Sequence, residues 1–200
     1  MGLELPYTSS IKDMPFMFSD MRRTAQLLCE GKTREEIIEL SMTANIYQLE
    51  KEKRRRDLPL RMLKRLGTLD MPLVSIVANG RDEDAKLIAF LALIKSDRLF
   101  FEFMREIYSD KFLSGQTEID DKEFLTFIER KAQNDDTVAG WTPNNLVRIR
   151  NTYKNILCEA GLAKKDKDAL IILKPVCNRK IPALLKGENA PYAKAMLLEV

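Results

Sequence analysis

The sequence predicts a mainly α-helical protein: a multi-helix bundle with winged-helix-like elements and a small β-hairpin after a helix at residues 143–160. Apolar residues recur three or four positions apart through most of the chain, which is the period of an amphipathic helix. Residues that begin and end helices separate these stretches at short intervals. The run LIIL at residues 170–173 instead favours a strand, and this strand supplies the predicted hairpin.

The N-terminal half contains a succession of predicted helices. The first runs from about Ser19 to Glu30, and Thr33 with Glu36 then forms a capping box that begins the second. Further helices are predicted over Pro72–Asn79, Asp82–Ile94 and Leu99–Phe112. The last of these contains LFFEFMREIY, whose four aromatic residues could form a stacking platform for nucleic-acid bases. At helical spacing the same residues favour a buried core, and we prefer that interpretation.

A polar segment at residues 114–117, SGQT, is the best candidate for a linker. Asp120 and Glu123 follow it with an acidic capping signature, which predicts that a new helix begins there. We therefore expect two subdomains, an N-terminal one over residues 1–114 and a C-terminal one over residues 115–200.

The helix at residues 143–160 has the clearest boundaries. Thr142 is its predicted N-cap, Pro143 occupies the first helical position, and Gly161 ends it. A lysine-rich turn at residues 164–168 and the predicted strand follow directly. A helix followed by a charged hairpin is typical of a winged-helix ending, so residues 161–176 are the predicted wing.

Composition excludes several classes of function. The chain has 200 residues, of which 45% are hydrophobic and 32% charged, and this balance supports a globular core. The absence of histidine removes Ser-His-Asp and Cys-His catalysis and His-ligated zinc. Cys29, Cys158 and Cys177 lack the spacing of a zinc site or a disulfide framework, so we expect reduced thiols. The longest apolar run, Leu87–Ile94, is too short to cross a bilayer, which predicts a cytoplasmic protein without membrane contact.

Acidic residues cluster at two places in the C-terminal half. They are Asp120, Asp121, Glu123, Asp135 and Asp136. Such carboxylates could bind a divalent metal for phosphodiester cleavage. Helix capping and interaction with the helix dipole explain them more simply. No P-loop, GxGxxG or nucleophile elbow is present either, so we predict no catalytic residue, no metal site and no cofactor.

Positive charge is concentrated in residues 50–66, EKEKRRRDLPLRMLKRL. Eight basic and three acidic residues give this segment a net charge of +5, which exceeds the +3 of the whole chain. Basic residues near phosphates release condensed counterions, so such a segment favours a polyanionic partner. Pro59 leaves two alternatives open, because either one helix is kinked there or Asp57 caps a new helix.

A continuous helix would place Arg54, Arg61 and Arg65 close together around its axis. In that case we expect an exposed basic ridge opposite Leu58, Leu63 and Leu66. The alternative is a solvated basic face that pairs with acidic segments of the same or another subunit.

A second basic region covers residues 148–186, where ten basic and three acidic residues give a net charge of +7. Arg148, Asn151 and Asn155 share one face of the predicted helix, and these side chains suit guanine and adenine edges. A solvated helix face is the alternative. The predicted nucleic-acid-binding residues are Arg54, Arg55, Arg61, Lys64, Arg65, Arg148, Asn151, Asn155, Lys164 and Lys165.

The order of these features resembles the BrxA family of BREX phage-exclusion systems. The matching stretches are MPFMFSDMRRTAQLLCEGKTREEI, NIYQLEKEKRRRDLPLRMLKRLGTLD, DAKLIAFLALIKSDRLFFEFMREI and TPNNLVRIRNTYKNILCEAGLA. The similarity covers most of residues 14–175 and consists of apolar and basic patterns rather than catalytic motifs. It implies a small, mostly helical, non-enzymatic accessory protein with winged-helix character and affinity for double-stranded DNA.

The leading hypothesis from the sequence is therefore a DNA-binding accessory protein of a BREX-type defence system, with other BREX subunits as further partners. Two alternatives share the same charge pattern. One is a scaffold whose basic faces dock an acidic partner of the same defence complex, and the other is an RNA-binding helical bundle.

Overall fold

A computed structural model describes residues 5–167 and 169–199, and it is mainly helical with one small antiparallel sheet, as the sequence predicts. Asp168, in the predicted lysine-rich turn, lies outside the described residues, as do residues 1–4 and 200. The chain divides into two compact units. Residues 17–96 form one unit, and the segment before them joins the residues from Asp97 onward to form the other.

Five helices make up the unit of residues 17–96. They are α1 (Phe18–Cys29), α2 (Arg34–Thr43), α3 (Glu52–Leu66), α4 (Met71–Asn79) and α5 (Asp82–Ser96). The predicted capping box is present, because Thr33 Oγ1 accepts from the Glu36 N–H and the Glu36 carboxylate accepts from the Thr33 N–H. Every residue of Leu87–Ile94 in α5 is buried. Among the described residues, none of the helices combines the length and the apolar character that crossing a bilayer requires.

The α3 helix continues without interruption through Pro59. A proline has no N–H, so the carbonyl of Arg55, four residues earlier, lacks its usual helical donor. The hydroxyl of Ser41 supplies a replacement: it lies fully buried on α2 and donates to the Arg55 carbonyl oxygen at 2.5 Å. Of the two alternatives for Pro59, the structure therefore contains the single helix.

The predicted basic ridge on α3 is wrong. Arg54 is exposed and Arg61 partly exposed, but Arg65 is only 2% exposed. At ~100° per residue Leu58 lies about 20° from Arg65 around the axis, so it cannot be opposite to it. Leu58 is 1% exposed, and the face that carries Arg65 is the buried face of the helix.

Replacing Ser41 by alanine should lower the free energy of unfolding by about 1–3 kcal/mol, because the Arg55 carbonyl loses its donor. The loss should be much smaller in a Pro59→Ala background, where the new backbone N–H can donate to the same oxygen. Urea denaturation of the four proteins in this double-mutant cycle measures the difference. Equal losses in both backgrounds would show that the hydroxyl does not compensate for the proline.

The second unit contains a long helix at residues 98–113, a sheet and a further set of helices. Its elements are α6 (Arg98–Phe103), a π-helical segment (Met104–Ser109), α7 (Asp110–Leu113), β1 (Glu118–Ile119), α8 (Asp121–Ala132), α9 (Asp136–Ala139), α10 (Pro143–Glu159), β2 (Ala163–Asp166), β3 (Ala169–Ile172), α11 (Ile181–Leu184) and α12 (Ala190–Ala195), with short 3-10 turns at Ser10–Lys12 and Gly187–Asn189. The sheet is antiparallel in the order β1-β3-β2. The predicted hairpin, formed by β2 and β3, is therefore present, and β3 is the central strand of the sheet.

The aromatic residues of LFFEFMREIY are core residues, which confirms that interpretation over a stacking platform. Phe100 stacks on Tyr153 of α10 with ring centroids 4.0 Å apart. Phe103 lies 5.9 Å from Phe124 and 5.5 Å from Phe127, both on α8. These contacts attach residues 98–113 to the C-terminal helices, so the division of the chain falls before Asp97 and differs from the boundary expected near residue 115.

A buried carboxylate connects the N-terminal segment to this core. Glu102 is 3% exposed and accepts hydrogen bonds from the Tyr7 hydroxyl at 2.8 Å and from Arg98 Nε at 2.9 Å. Lys131 Nζ lies 2.7 Å from the same carboxylate. Burial by itself raises the pKa of Glu102, but the bonds from Lys131, Arg98 and Tyr7 outweigh it and lower the pKa. Burial and the bond to this carboxylate raise the pKa of Tyr7 to about 12.

Candidate nucleic-acid interface

The outer face of α10 carries a continuous stripe of polar side chains. Thr142 caps the helix by accepting from the Asn145 N–H at 3.3 Å, and Pro143 follows at the first helical position, as predicted. Asn144, Arg148, Asn151 and Asn155 are spaced four, three and four residues apart, so they lie on one side of the helix. All four are exposed. The predicted residues of this helix therefore share one solvent-facing surface.

Arg148 makes an ion pair with Asp13 in the N-terminal segment of the same unit. The Nη2–Oδ1 distance is 2.9 Å, and the two side chains are 50% and 55% exposed. A hydrogen bond from Lys12, together with the nearby Arg148 guanidinium, lowers the pKa of Asp13. Exposed ion pairs contribute little net free energy because water solvates both partners well. Arg148 can therefore exchange this carboxylate for another anion at little cost.

The hairpin is joined to this stripe by Lys165, whose Nζ donates to Asn155 Oδ1 at 2.7 Å. Lys165 pairs across the strands with the buried Leu170, whereas Lys164 pairs with Ile171. Successive residues of a strand point to opposite faces, so the two lysines do not act on one surface. Lys165 faces α10 and Lys164 lies on the other face. We call the set Asn144, Arg148, Asn151, Asn155 and Lys165 the α10 surface.

Val147 is an exposed residue that the sequence prediction did not include. It is 42% exposed and lies one helical turn before Asn151, at the edge of the α10 surface. An apolar side chain among base-reading residues can contact the methyl group of thymine. The signal was present in the sequence, because Val147 is the apolar residue that falls outside the buried stripe of this helix.

Two further basic residues of α10 are neutralised within the unit. Arg150 Nη1 and Lys154 Nζ bind the two carboxylate oxygens of Asp121 at 2.8 Å and 2.5 Å. Both basic side chains are mostly buried, at 20% and 17% exposure. The flank of α10 that faces α8 thus contributes to packing, and the exposed positive charge of the helix is concentrated on Arg148.

Three of the clustered acidic residues, Asp120, Glu123 and Asp135, cap helices as predicted, whereas Asp121 binds Arg150 and Lys154. Asp120 and Glu123 form a reciprocal capping box at the start of α8. The Asp135 carboxylate accepts from the backbone N–H groups of Thr137 and Val138 at the start of α9. Within residues 5–167 and 169–199, no cluster of cysteine and carboxylate side chains is arranged to hold a metal ion. None of the three cysteines, all within the described part of the chain, forms a disulfide.

The predicted residues on α3 lie in the other unit and differ in accessibility. They are Arg54, Arg55, Arg61, Lys64 and Arg65. Arg54 and Lys64 are exposed. Arg55 is partly buried, and its Nε donates to the Leu49 carbonyl at 2.8 Å, which holds the side chain against the backbone. Of the five, Arg54 and Lys64 thus present exposed side chains to solvent, whereas the Arg65 side chain is buried.

Fold and surface together define a class: small, mainly helical proteins whose exposed chemistry is an amide-rich and basic helix face beside a short antiparallel hairpin. The BrxA family model matches residues 5–189 of this chain. The chain therefore belongs to the BrxA family of BREX phage-defence systems, and the resemblance noted in the sequence is confirmed.

Similar proteins agree with this assignment. The chain is 35% identical over 175 residues to a BREX protein BrxA from Bacillus cereus (strain H3081.97), and the match covers 88% of each protein. It is 20% identical over 147 residues to a BREX protein BrxA from Escherichia coli O9:H4 (strain HS), covering 74% of this chain and 69% of the relative. A crystal structure of an uncharacterized protein from Magnetospirillum magneticum has the same fold, with a TM-score of 0.80 at 22% identity, covering 96% of this chain and 98% of the other.

Proposed function

We propose that this protein is a non-enzymatic accessory of a BREX phage-defence system that binds double-stranded DNA through the α10 surface. One observation carries the proposal. Arg148, Asn151 and Asn155 share an exposed helix face, and a 2.7 Å hydrogen bond connects that face to Lys165 of the hairpin. The side chains proposed to read bases and to bind phosphates thus lie together on one surface.

The topology of the second unit supports a winged-helix mode of binding. A short strand, helices and a hairpin follow one another in the chain, and the sheet order is β1-β3-β2. In such proteins the helix before the hairpin enters the major groove and the wing contacts the adjacent backbone. On this proposal α10 is the recognition helix and β2 with β3 is the wing.

The side chains suggest which contacts would read bases and which would bind phosphates. Arg148 suits the O6 and N7 atoms of guanine, and the amides of Asn151 and Asn155 suit adenine. Lys165 and, from the other face of the hairpin, Lys164 would bind phosphates, which position the protein without reading sequence. We propose that exposed Arg54 and Lys64 on α3 add further non-specific phosphate contacts.

The test is the salt dependence of duplex binding. Fluorescence anisotropy with a duplex of about 20 base pairs at roughly 50 and 200 mM salt should give a steep loss of affinity. The slope of log K against log salt should be about −0.9 for each neutralised phosphate. Absence of binding at the lower salt concentration would contradict the proposal. Competition with structured RNA distinguishes duplex DNA from RNA as the partner.

A scaffold role within the same BREX system is the second candidate function. Family membership favours it, and so does an apolar cleft of about 630 Å³ whose lining includes Phe112, Leu113, Leu197 and Leu198. The Leu113 side chain is 76% exposed at this cleft. Co-purification with other BREX subunits after nuclease treatment, without any duplex binding, would favour this role over DNA binding.

A further inference from the structure

The hairpin is closed at its open end by a tyrosine hydroxyl from another element. Tyr108 is fully buried, and its hydroxyl donates to the carbonyls of Leu162 at 2.8 Å and Leu173 at 2.7 Å. Leu162 immediately precedes β2 and Leu173 immediately follows β3. The Leu173 N–H also donates to the Leu162 carbonyl at 2.8 Å. The Tyr108 hydroxyl, whose hydrogen is shared between two carbonyls, therefore links the start of β2 to the end of β3.

The hairpin needs such an attachment because its own strands are short. The strands β2 and β3 have four residues each, and β1 adds only two residues to the sheet. Two short strands are marginally stable without further packing. Together with the buried inner face of the hairpin, the contacts at its open end therefore fix how the hairpin lies against α10.

Tyr108 reaches this position from the π-helical segment Met104–Ser109. A π-helical turn contains an additional residue, which rotates all following side chains relative to a regular α-helix. Such turns are rare and occur often at functional sites, so this irregularity needs an explanation. Burial raises the pKa of Tyr108, which keeps its hydroxyl protonated and able to donate.

We propose that Tyr108 is a positioning residue for DNA binding, because its hydroxyl orients the hairpin so that Lys165 contacts the DNA backbone beside the groove that α10 occupies. The inference rests on the proposed function. It adds to that function a buried residue, outside both α10 and the hairpin, on which the geometry of the interface depends.

The test is a double-mutant cycle of Tyr108→Phe and Lys165→Ala, with duplex affinity measured at about 50 mM salt. Each single change should weaken binding roughly three- to tenfold, the effect of one hydrogen bond or one phosphate contact. The Lys165→Ala effect should nearly disappear in the Tyr108→Phe background, because the lysine is no longer held in place. Tyr108→Phe should also reduce the salt slope by about 0.9, as expected when one phosphate contact is lost.

A matched control separates positioning from general loss of stability. Tyr47→Phe removes another buried hydroxyl contact, the 2.7 Å bond between Tyr47 and Thr24 in the unit of residues 17–96. It should leave duplex affinity and salt slope unchanged. If Tyr108→Phe does not fold, Leu173→Pro opens the same end of the hairpin by removing the Leu173 N–H and is tested in its place.

The outcomes distinguish the proposed contact between Lys165 and DNA from the proposed positioning role of Tyr108. If Lys165→Ala leaves the affinity of the wild-type protein unchanged, the proposed hairpin contact itself is wrong. If Lys165→Ala weakens binding but Tyr108→Phe does not, or if the two effects simply add, the DNA interface stands and the positioning role of Tyr108 is wrong.

Discussion

Replacing Glu102 by glutamine should lower the free energy of unfolding by about 3 kcal/mol, the lower end of the cost of breaking a buried ion pair from one side, because Lys131 keeps a second carboxylate. Glutamine has nearly the same shape, so the loss reports charge rather than packing. Lys131, which is 15% exposed, would lose the Glu102 carboxylate and keep only the Glu106 carboxylate, which lies 2.8 Å from its Nζ. The Tyr7 hydroxyl and Arg98 would lose the same charged acceptor. Urea denaturation at neutral pH measures the difference.

An exposed glutamate provides the matched control. Glu199 pairs with Lys174 at 2.7 Å, but its side chain is 88% exposed. Glu199→Gln should therefore change stability little, because water solvates both groups. If the two glutamine variants lose similar amounts of stability, the buried network does not have the role assigned to it.

The contribution of Glu102 to the free energy of unfolding should also depend on pH, and it should decrease at acidic pH. Its pKa is lowered from the ordinary value of 4.5, so folding favours the ionised form. The contribution is therefore complete above about pH 5 and is lost as the pH falls through the lowered pKa. The stability difference between the wild-type protein and Glu102→Gln should be constant near neutrality and should shrink below about pH 4.5. Denaturation curves at several pH values measure this.

Reversing two charges of the α10 surface should have the largest effect on function. The double variant Arg148→Glu with Lys165→Glu should bind duplex DNA about 100- to 1,000-fold more weakly at roughly 50 mM salt. Loss of a base contact costs about 1–3 kcal/mol, and a phosphate contact is lost as well. Each introduced carboxylate adds repulsion, and every 1.4 kcal/mol is a factor of ten in affinity. Fluorescence anisotropy with the same duplex measures the change.

The control must change the net charge equally without altering the α10 surface. Lys186 and Lys194 are exposed in the same unit and lie outside both α10 and the hairpin. The double variant Lys186→Glu with Lys194→Glu should weaken binding only by the general effect of net charge. Equal losses in the two double variants would mean that binding is non-specific attraction without a defined surface. Thermal unfolding checks that both variants remain folded.

The parts of the fold that follow from local chemistry could be predicted from the sequence. Thr33 with Glu36, and Thr142 with Pro143, begin helices through hydrogen bonds and backbone constraints within four residues. The stripe of Arg148, Asn151 and Asn155 follows from helical periodicity alone once the helix is placed. The exposure of this stripe was therefore predictable, although its use in binding DNA is still a proposal.

The parts that depend on distant residues could not be predicted. A basic segment with the composition of α3 indicates exposed charge, yet Arg65 packs into the interior because its neighbours on that face include the buried Leu58. Whether Pro59 breaks a helix depends on a donor supplied by Ser41, eighteen positions away in the chain. Periodicity within one segment contains no information about either contact.

Neither the boundary between the units nor the position of Tyr108 could be predicted from the sequence, for a related reason. The composition of residues 114–117 is typical of a linker. However, Phe100 and Phe103 pack against residues that come later in the chain. A π-helical turn departs from the 3.6-residue period on which helix prediction depends. The direction of the Tyr108 side chain was therefore outside the reach of pattern analysis.

The Ser41 hydroxyl at the Arg55 carbonyl also constrains how this sequence can change over time. The hydroxyl replaces a donor that a proline at position 59 removes, and without the hydroxyl a proline there leaves the Arg55 carbonyl without that replacement. A lineage that acquires the serine before the proline passes through stable intermediates. A lineage that acquires the proline first passes through a less stable protein, so the two orders of substitution differ in the stability of their intermediates.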